Sequence, residues 1–218
     1  MVSTFYKPFV KFYLRKKRPF KYKGLRLMVE PGVFHPGFFF SSKVMLNFLD
    51  TLSLNGLKVL EMGSGSGILS LYCAKMGADV TACDISQKAC ENTKTNMALN
   101  GLKLSVLHSN LFSSLSAQAF DLVLVNPPYY KKTPQKESEH AWYCGEQGEY
   151  FERFFQGLNS FIHKNSAVYM VLFEGIDLQM IEDAAKKNGF ICYSVYSQNN
   201  WIERDFVLRI APNPVVKA

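Results

Sequence analysis

The chain has 218 residues, of which 48% are hydrophobic and 20% charged, with a formal net charge of +7. That length implies one domain that can bury a full core without disulfide or metal staples. The composition excludes a disordered chain, and no apolar run approaches the ~18 residues of a spanning helix.

The positive charge sits at one end. Nine bases, Lys7, Lys11, Arg15, Lys16, Lys17, Arg18, Lys21, Lys23 and Arg26, precede the first acid, Glu30, and the rest of the chain holds 16 bases against 18 acids. Seven rings (Phe5, Tyr6, Phe9, Phe12, Tyr13, Phe20 and Tyr22) are interleaved with those bases. Bases neutralise phosphates and rings stack on nucleobases, so this head suits RNA or a ribosomal particle. An acidic protein partner is a second reading. A third is an amphipathic segment that packs its rings on the body and exposes its lysines. The division expected is a basic aromatic extension over 1–30 and a catalytic domain over 31–218. The start of the chain does not read as a secretory signal, and the five cysteines include no C-x-x-C pair. Both point to a reducing cytoplasm, with each cysteine a small buried hydrophobe and no membrane partner.

Pro31, Gly32, Pro36 and Gly37 punctuate a turn-rich stretch. A helix is predicted over 43–52, with Ser41 or Ser42 as its N-cap. A buried strand follows at 57–62, a glycine turn at 63–67 and a helix at 68–76. A strand at 78–83, a helix at 87–99 and strands at 102–107 and 121–125 come next. Residues 130–147 are polar and irregular. A helix at 148–161, a strand at 167–173, a helix at 177–188 and strands at 190–195 and 204–210 complete the order. Strands alternating with helices imply an α/β, doubly wound, seven-stranded and mostly parallel sheet covered on both faces. The short link between the last two strands is too brief for a parallel crossover, so the final strand should run antiparallel.

Two segments carry chemistry. Glu61-Met62-Gly63-Ser64-Gly65-Ser66-Gly67 joins a strand to a helix. It fails the G-x-G-x-x-G dinucleotide spacing, because Ile68 stands where the third glycine belongs, and this disfavours a nicotinamide dehydrogenase. Its glycines allow close backbone approach to a ligand. An acid at the strand end suits a cationic or amino-bearing ligand rather than a pyrophosphate. Asp84 ends the next strand, where a carboxylate can take both hydroxyls of a ribose, or else cap the helix at 87–99. The second segment, Asn126-Pro127-Pro128-Tyr129, ends the fourth strand. Its prolines fix the backbone and remove two donors, leaving the Asn126 side-chain oxygen and the Pro127 carbonyl to grip a planar –NH2, while Tyr129 offers a stacking face. A plain strand terminator is the alternative.

The set E-x-G-x-G-x-G, strand-end Asp84 and N-P-P-Y resembles the class I S-adenosylmethionine-dependent methyltransferases, in the branch that methylates planar amino or amide nitrogens. Val33-Phe34-His35-Pro36 and the stretch from Ala141 to Gly148, which contains Trp142, are similar to segments of HemK-like enzymes. The resemblance runs from about Val33 to Ile210. It implies that Glu61, Gly63, Ser64, Gly65 and Gly67 line the methionine and ribose part of the cofactor, that Asp84 binds the ribose, and that Ile85, Asn110 and Leu111 lie against the adenine. Many relatives carry an acid at the Asn110 position; an amide oxygen can accept the same bond. Asn126, Pro127, Pro128 and Tyr129 would hold the target nitrogen, with Tyr130, Trp142 and the cluster Arg15, Lys16, Lys17 and Arg18 on the substrate side. S-adenosylhomocysteine would leave as product, and no metal is needed. The expected substrate is an exocyclic amine of rRNA or tRNA. A protein glutamine is the alternative, and a non-catalytic RNA-binding role on the same fold is the reading from another class. His35 and His140 lie near these loops and are candidates for a general base; His108 and His163 are read as packing or surface residues.

Overall fold

A computed structural model describes residues 15–200 and 203–214. The expectations for Phe5, Tyr6, Lys7, Phe9, Lys11, Phe12 and Tyr13 lie outside the described residues.

The first described element is a hairpin that the sequence reading did not anticipate. Strand β1 (Arg18–Tyr22) pairs antiparallel with β2 (Leu25–Val29). Lys23 and Gly24 join them at φ 48° and 71°, the positive pair that a two-residue turn needs to follow the strand twist. The second strand alternates, and Leu25, Leu27 and Val29 are each only 2% exposed within the main core. The hairpin is therefore seated on the body by its apolar face while Lys21 and Arg26 face outward.

The main sheet has strands β3 (Lys58–Met62), β4 (Asp79–Asp84), β5 (Ser105–His108), β6 (Phe120–Val125), β7 (Ile162–Phe173), β8 (Phe190–Asn199) and β9 (Arg204–Pro212). Their spatial order is β5-β4-β3-β6-β7-β9-β8. The first five in that order run parallel, and β9 lies antiparallel between β7 and β8. Alternation along the strands divides the interior into two cores. Val59, Val171 and Val207 face helices α1 (Phe40–Leu49), α2 (Ile68–Lys75) and α3 (Gln87–Leu99); Leu60, Met170 and Leu208 face α4 (Glu149–Leu158) and α5 (Leu178–Lys187). Such near-continuous apolar strands are tolerated only where helices cover both faces.

Three local expectations are corrected. Helix α1 starts earlier than predicted, with Phe39 as its N-cap residue and no side-chain cap. The Phe39 ring packs against Phe34 and Trp142, and this fixes the entry to the helix, so Ser41 and Ser42 fall inside the first turn and are buried. Helix α3 is capped by Ser86, whose hydroxyl accepts from the Ala89 amide, which leaves Asp84 free of that task. Strand β5 begins only at Ser105, because the Leu102 amide turns back to the Met97 carbonyl to close α3.

Candidate active site

The carboxyl ends of the parallel strands open onto a cavity of about 350 Å³, within the usual range for a small-molecule site. Its floor is the glycine turn. The Gly63 and Ser64 amides donate to the Cys83 carbonyl, which ties the turn to the end of β4. Gly63, Gly65 and Gly67 all have positive φ, at 78°, 54° and 81°. At Gly67 the neighbour also forbids a side chain: a Cβ there would lie 2.7 Å from the Thr93 Cγ2.

Two carboxylates stand over this floor. Glu61 is 3% exposed, and burial pushes its carboxyl up to about 8, against the opposing effect of Ser70, with the nearby Asp84 charge adding to the rise. Ser70 donates from both its amide and its hydroxyl to one oxygen, Oε2. No hydrogen bond among the described residues uses Oε1, and that oxygen is not sealed from the cavity it borders. Asp84 accepts from Gly65 through Oδ2 at 2.8 Å and from Ser86 through Oδ1 at 2.9 Å. Burial raises its carboxyl, and the two amides work against that rise.

The far wall comes from the loop after β5. Leu111 adopts φ 53°, rare for a branched residue, and Ser109 holds that bend by donating to the Leu111 carbonyl and accepting from the Ser114 amide. Asn110 also borders the cavity, but its side-chain oxygen already accepts from Arg153 at 2.8 Å. The oxygen retains a second lone pair. Ile85, Phe34 and Tyr150 supply apolar surface, and burial raises the Tyr150 hydroxyl.

Asn126, Pro127 and Tyr129 line the same cavity. Neither the Asn126 side chain nor the Pro127 carbonyl is used in a hydrogen bond among the described residues. Tyr129 stands edge-on to Tyr130 and to Phe173, which fixes its ring plane, and burial raises its hydroxyl. The irregular stretch 130–147 is pinned beside the cavity by reciprocal backbone bonds. The Tyr130 amide donates to the Trp142 carbonyl, and the Cys144 amide donates back to the Tyr130 carbonyl.

The structure thus brings Glu61, Gly63, Ser64, Gly65, Asp84, Ile85, Asn110, Leu111, Asn126, Pro127 and Tyr129 to one cavity. Gly67, Pro128 and Tyr130 adjoin lining residues in the chain but do not themselves line the cavity. Trp142 packs on Phe34 and Phe39 and braces the wall from outside. Arg15, Lys16, Lys17 and Arg18 stand at the entry to the hairpin, away from the cavity, where Lys17 pairs with Glu30 at 2.6 Å. His140 borders the cavity, whereas His35 is 4% exposed between Phe20 and Phe38. Its Nδ1 accepts from the Gly37 amide, burial lowers its pKa, and it does not line the cavity. Ser70, Thr93, Tyr150 and Arg153 complete the site and were not legible beforehand. Each reaches it from a helix face, and its position along the chain says nothing about that.

Comparison with known proteins agrees with this geometry. The model of the methyltransferase small domain family matches residues 24–144, more than half of the chain. A putative protein N5-glutamine methyltransferase of Methanocaldococcus jannaschii is 29% identical over 155 residues, covering 68% of this chain and 76% of the relative. Ribosomal RNA small subunit methyltransferase C of Salmonella newport is 38% identical over 110 residues, but the match covers 49% of this chain and only 31% of that protein. The structure of a T. thermophilus 16S rRNA methyltransferase in complex with AdoMet and guanosine superposes with a TM-score of 0.66 at 20% identity, over 91% of this chain and 50% of that one. At that identity the likeness speaks for the fold.

Proposed function

Since this chain belongs to the methyltransferase small domain family of class I S-adenosylmethionine-dependent methyltransferases, we propose that it methylates a planar amino nitrogen, an exocyclic base amine of rRNA or tRNA. The observation that carries this reading is the Asn126-Pro127-Pro128-Tyr129 turn, with two acceptors unused among the described residues and a braced ring lining the cavity.

The residues present suit the cofactor. The open Oε1 of Glu61 offers negative charge to a cationic ligand, the glycine turn permits close backbone approach, and Asp84 keeps acceptor capacity for hydroxyls. When bound, S-adenosylmethionine supplies a methyl group already activated by its sulfonium. The chain contributes placement, which can lower such a barrier by roughly 7–11 kcal/mol. The Asn126 oxygen and the Pro127 carbonyl each accept one hydrogen of the –NH2, turning its lone pair toward the methyl and stabilising positive charge as it grows on nitrogen. Tyr129 holds the plane of the base. The proton leaves after transfer, so the site needs no strong base.

RNA is favoured as the substrate by the hairpin. Lys21 and Arg26 are direct cross-strand partners, both exposed. Like charges so paired repel each other, and a phosphate between them relieves that cost. Protein glutamine is the second reading, favoured by the M. jannaschii relative. Incubating the protein with labelled S-adenosylmethionine and a cell lysate separates the two: label lost to RNase supports RNA, and label lost only to protease supports glutamine. Asn126→Ala should keep cofactor affinity within a few-fold and lower turnover by roughly a hundredfold. Turnover at the parent rate would remove Asn126 from the mechanism.

A further inference from the structure

Helix α3 and its C-cap residue carry three asparagines at four-residue spacing, Asn92 and Asn96 within the helix and Asn100 at its end, and all three turn toward the free edge of β2. Asn92 accepts from the Glu30 amide and donates to the Met28 carbonyl at 2.6 Å. Asn96 accepts from the Met28 amide at 2.8 Å. Asn100 accepts from the Arg26 amide at 2.9 Å and donates to the Arg26 carbonyl at 2.6 Å. The spacing explains why a helix can do this. Four helical residues rise about 6.0 Å and two strand residues about 6.6–6.8 Å, so three rungs stay in register. Side-chain amides take the place of a neighbouring strand. Asparagine is a poor helix former, costing several tenths of a kcal/mol at each interior position, so the ladder exists against local preference.

The middle rung differs from the others. Asn96 is fully buried, and its Nδ2 turns away from the hairpin to donate to the Ser66 carbonyl at 2.9 Å, inside the glycine turn. Three residues earlier on the same helix face, Thr93 donates to the Gly65 carbonyl at 3.2 Å. We propose that Asn96 is a positioning residue of the cofactor site: its one amide locks β2 at Met28 to the glycine turn at Ser66, and this rung, rather than the ladder as a whole, sets the affinity for S-adenosylmethionine.

The two halves of the amide have separate tasks. The oxygen fixes β2, whose continuation through Gly32, Val33 and Phe34 walls the cavity. The nitrogen fixes the carbonyl of Ser66, between two glycines whose backbones would otherwise sample many conformations. Losing either half releases one side of the clamp. The inference rests on the cofactor occupying the glycine turn, and binding of S-adenosylmethionine by the parent protein establishes that premise first.

The experiment is calorimetric titration of S-adenosylmethionine into the parent and three variants, with thermal unfolding of each. Asn96→Asp keeps the acceptor for Met28 but replaces the donor to Ser66 with a second oxygen. It should weaken binding tenfold or more, raising KM for S-adenosylmethionine while kcat at saturation falls less than about threefold. Met28→Pro acts from the hairpin side: it removes the amide that donates to Asn96, which points away from β1, along with the Met28 side chain. It should weaken binding several-fold and provides the same test if Asn96→Asp does not fold. Asn100→Ala removes the outer rung, which does not touch the turn, and should lower the melting temperature while leaving affinity within twofold. Parent-like affinity in Asn96→Asp or in Met28→Pro would overturn the proposal. So would an equal loss in Asn100→Ala, which would make the effect general loosening. Absence of binding by the parent would instead defeat the cofactor reading itself.

Discussion

Glu61 shows how little of a residue's chemistry is set by its type. In water its carboxyl would be ionised at neutral pH; here burial holds it near 8 while Ser70 occupies only one oxygen. A cationic ligand favours the ionised form, so its arrival at pH 7 must drive off a proton from a group about nine-tenths protonated beforehand. Calorimetry at pH 7 in buffers of different ionisation heat should therefore find the parent releasing about one proton more than Glu61→Gln on binding S-adenosylmethionine. Equal proton release would mean that the ligand's charge is met elsewhere. Asn110 makes the complementary point. The family resemblance implies a place at the adenine, and Asn110 does border the cavity, but its oxygen is shared with Arg153 from a helix more than forty residues later in the chain. No local pattern announces such a partner.

At the scale of elements, the hairpin is the largest surprise. Residues 18–29 read as part of a basic head because bases and rings dominate their composition. The alternation of Leu25, Leu27 and Val29 was a strand signal, and Lys23-Gly24 lacks the usual Asn-Gly turn signature. Once paired, the two strands sort the head into a buried apolar face and an outward cationic one. That makes the RNA reading specific. Replacing Lys21 and Arg26 together by alanine should reduce the slope of log affinity against log salt by between about 1.4 and 2, with little change in cofactor affinity. An unaltered slope would mean that phosphates dock elsewhere. The bounds expected for helices and strands outside the hairpin lie within five residues of those observed, the largest shift being the start of β7 at Ile162 rather than 167, because each element carries its own periodicity. Their ends shifted where another element intervened, as at Phe39, where ring contacts moved the start of α1.

For the whole molecule, the decisive feature is strand β9, threaded antiparallel between β7 and β8. Its entry places Asp205 directly across from Phe173, whose ring supports Tyr129. Asp205 is 1% exposed, its Oδ1 has no partner among the described residues, and burial, with Glu203 adding to it, pushes the carboxyl up to about 7. A group whose folded pKa lies above its unfolded value binds more protons in the folded state, so its contribution to stability is fullest below the ordinary carboxylate range and is lost as pH rises toward 7. Urea unfolding should show Asp205→Asn gaining on the parent between pH 5 and pH 8. A constant difference would mean that Asp205 is ionised throughout.

The chain by itself determined the alternation of strands and helices, the antiparallel sense of the final strand, the glycine turn with Glu61 and Asp84, and the Asn126-Pro127-Pro128-Tyr129 turn. All of these follow from backbone preferences and side-chain periods that act within one element or across one short connection. The tertiary structure alone decided that β9 lies inside the sheet, that the head folds back as a hairpin, that Trp142 braces the cavity wall, and that Asn96 joins the hairpin to the glycine turn. Those pairings join residues as far apart in the chain as Phe34 and Trp142. They arise because buried polar groups must find partners wherever apolar packing has placed them, and no pattern along the chain encodes that placement.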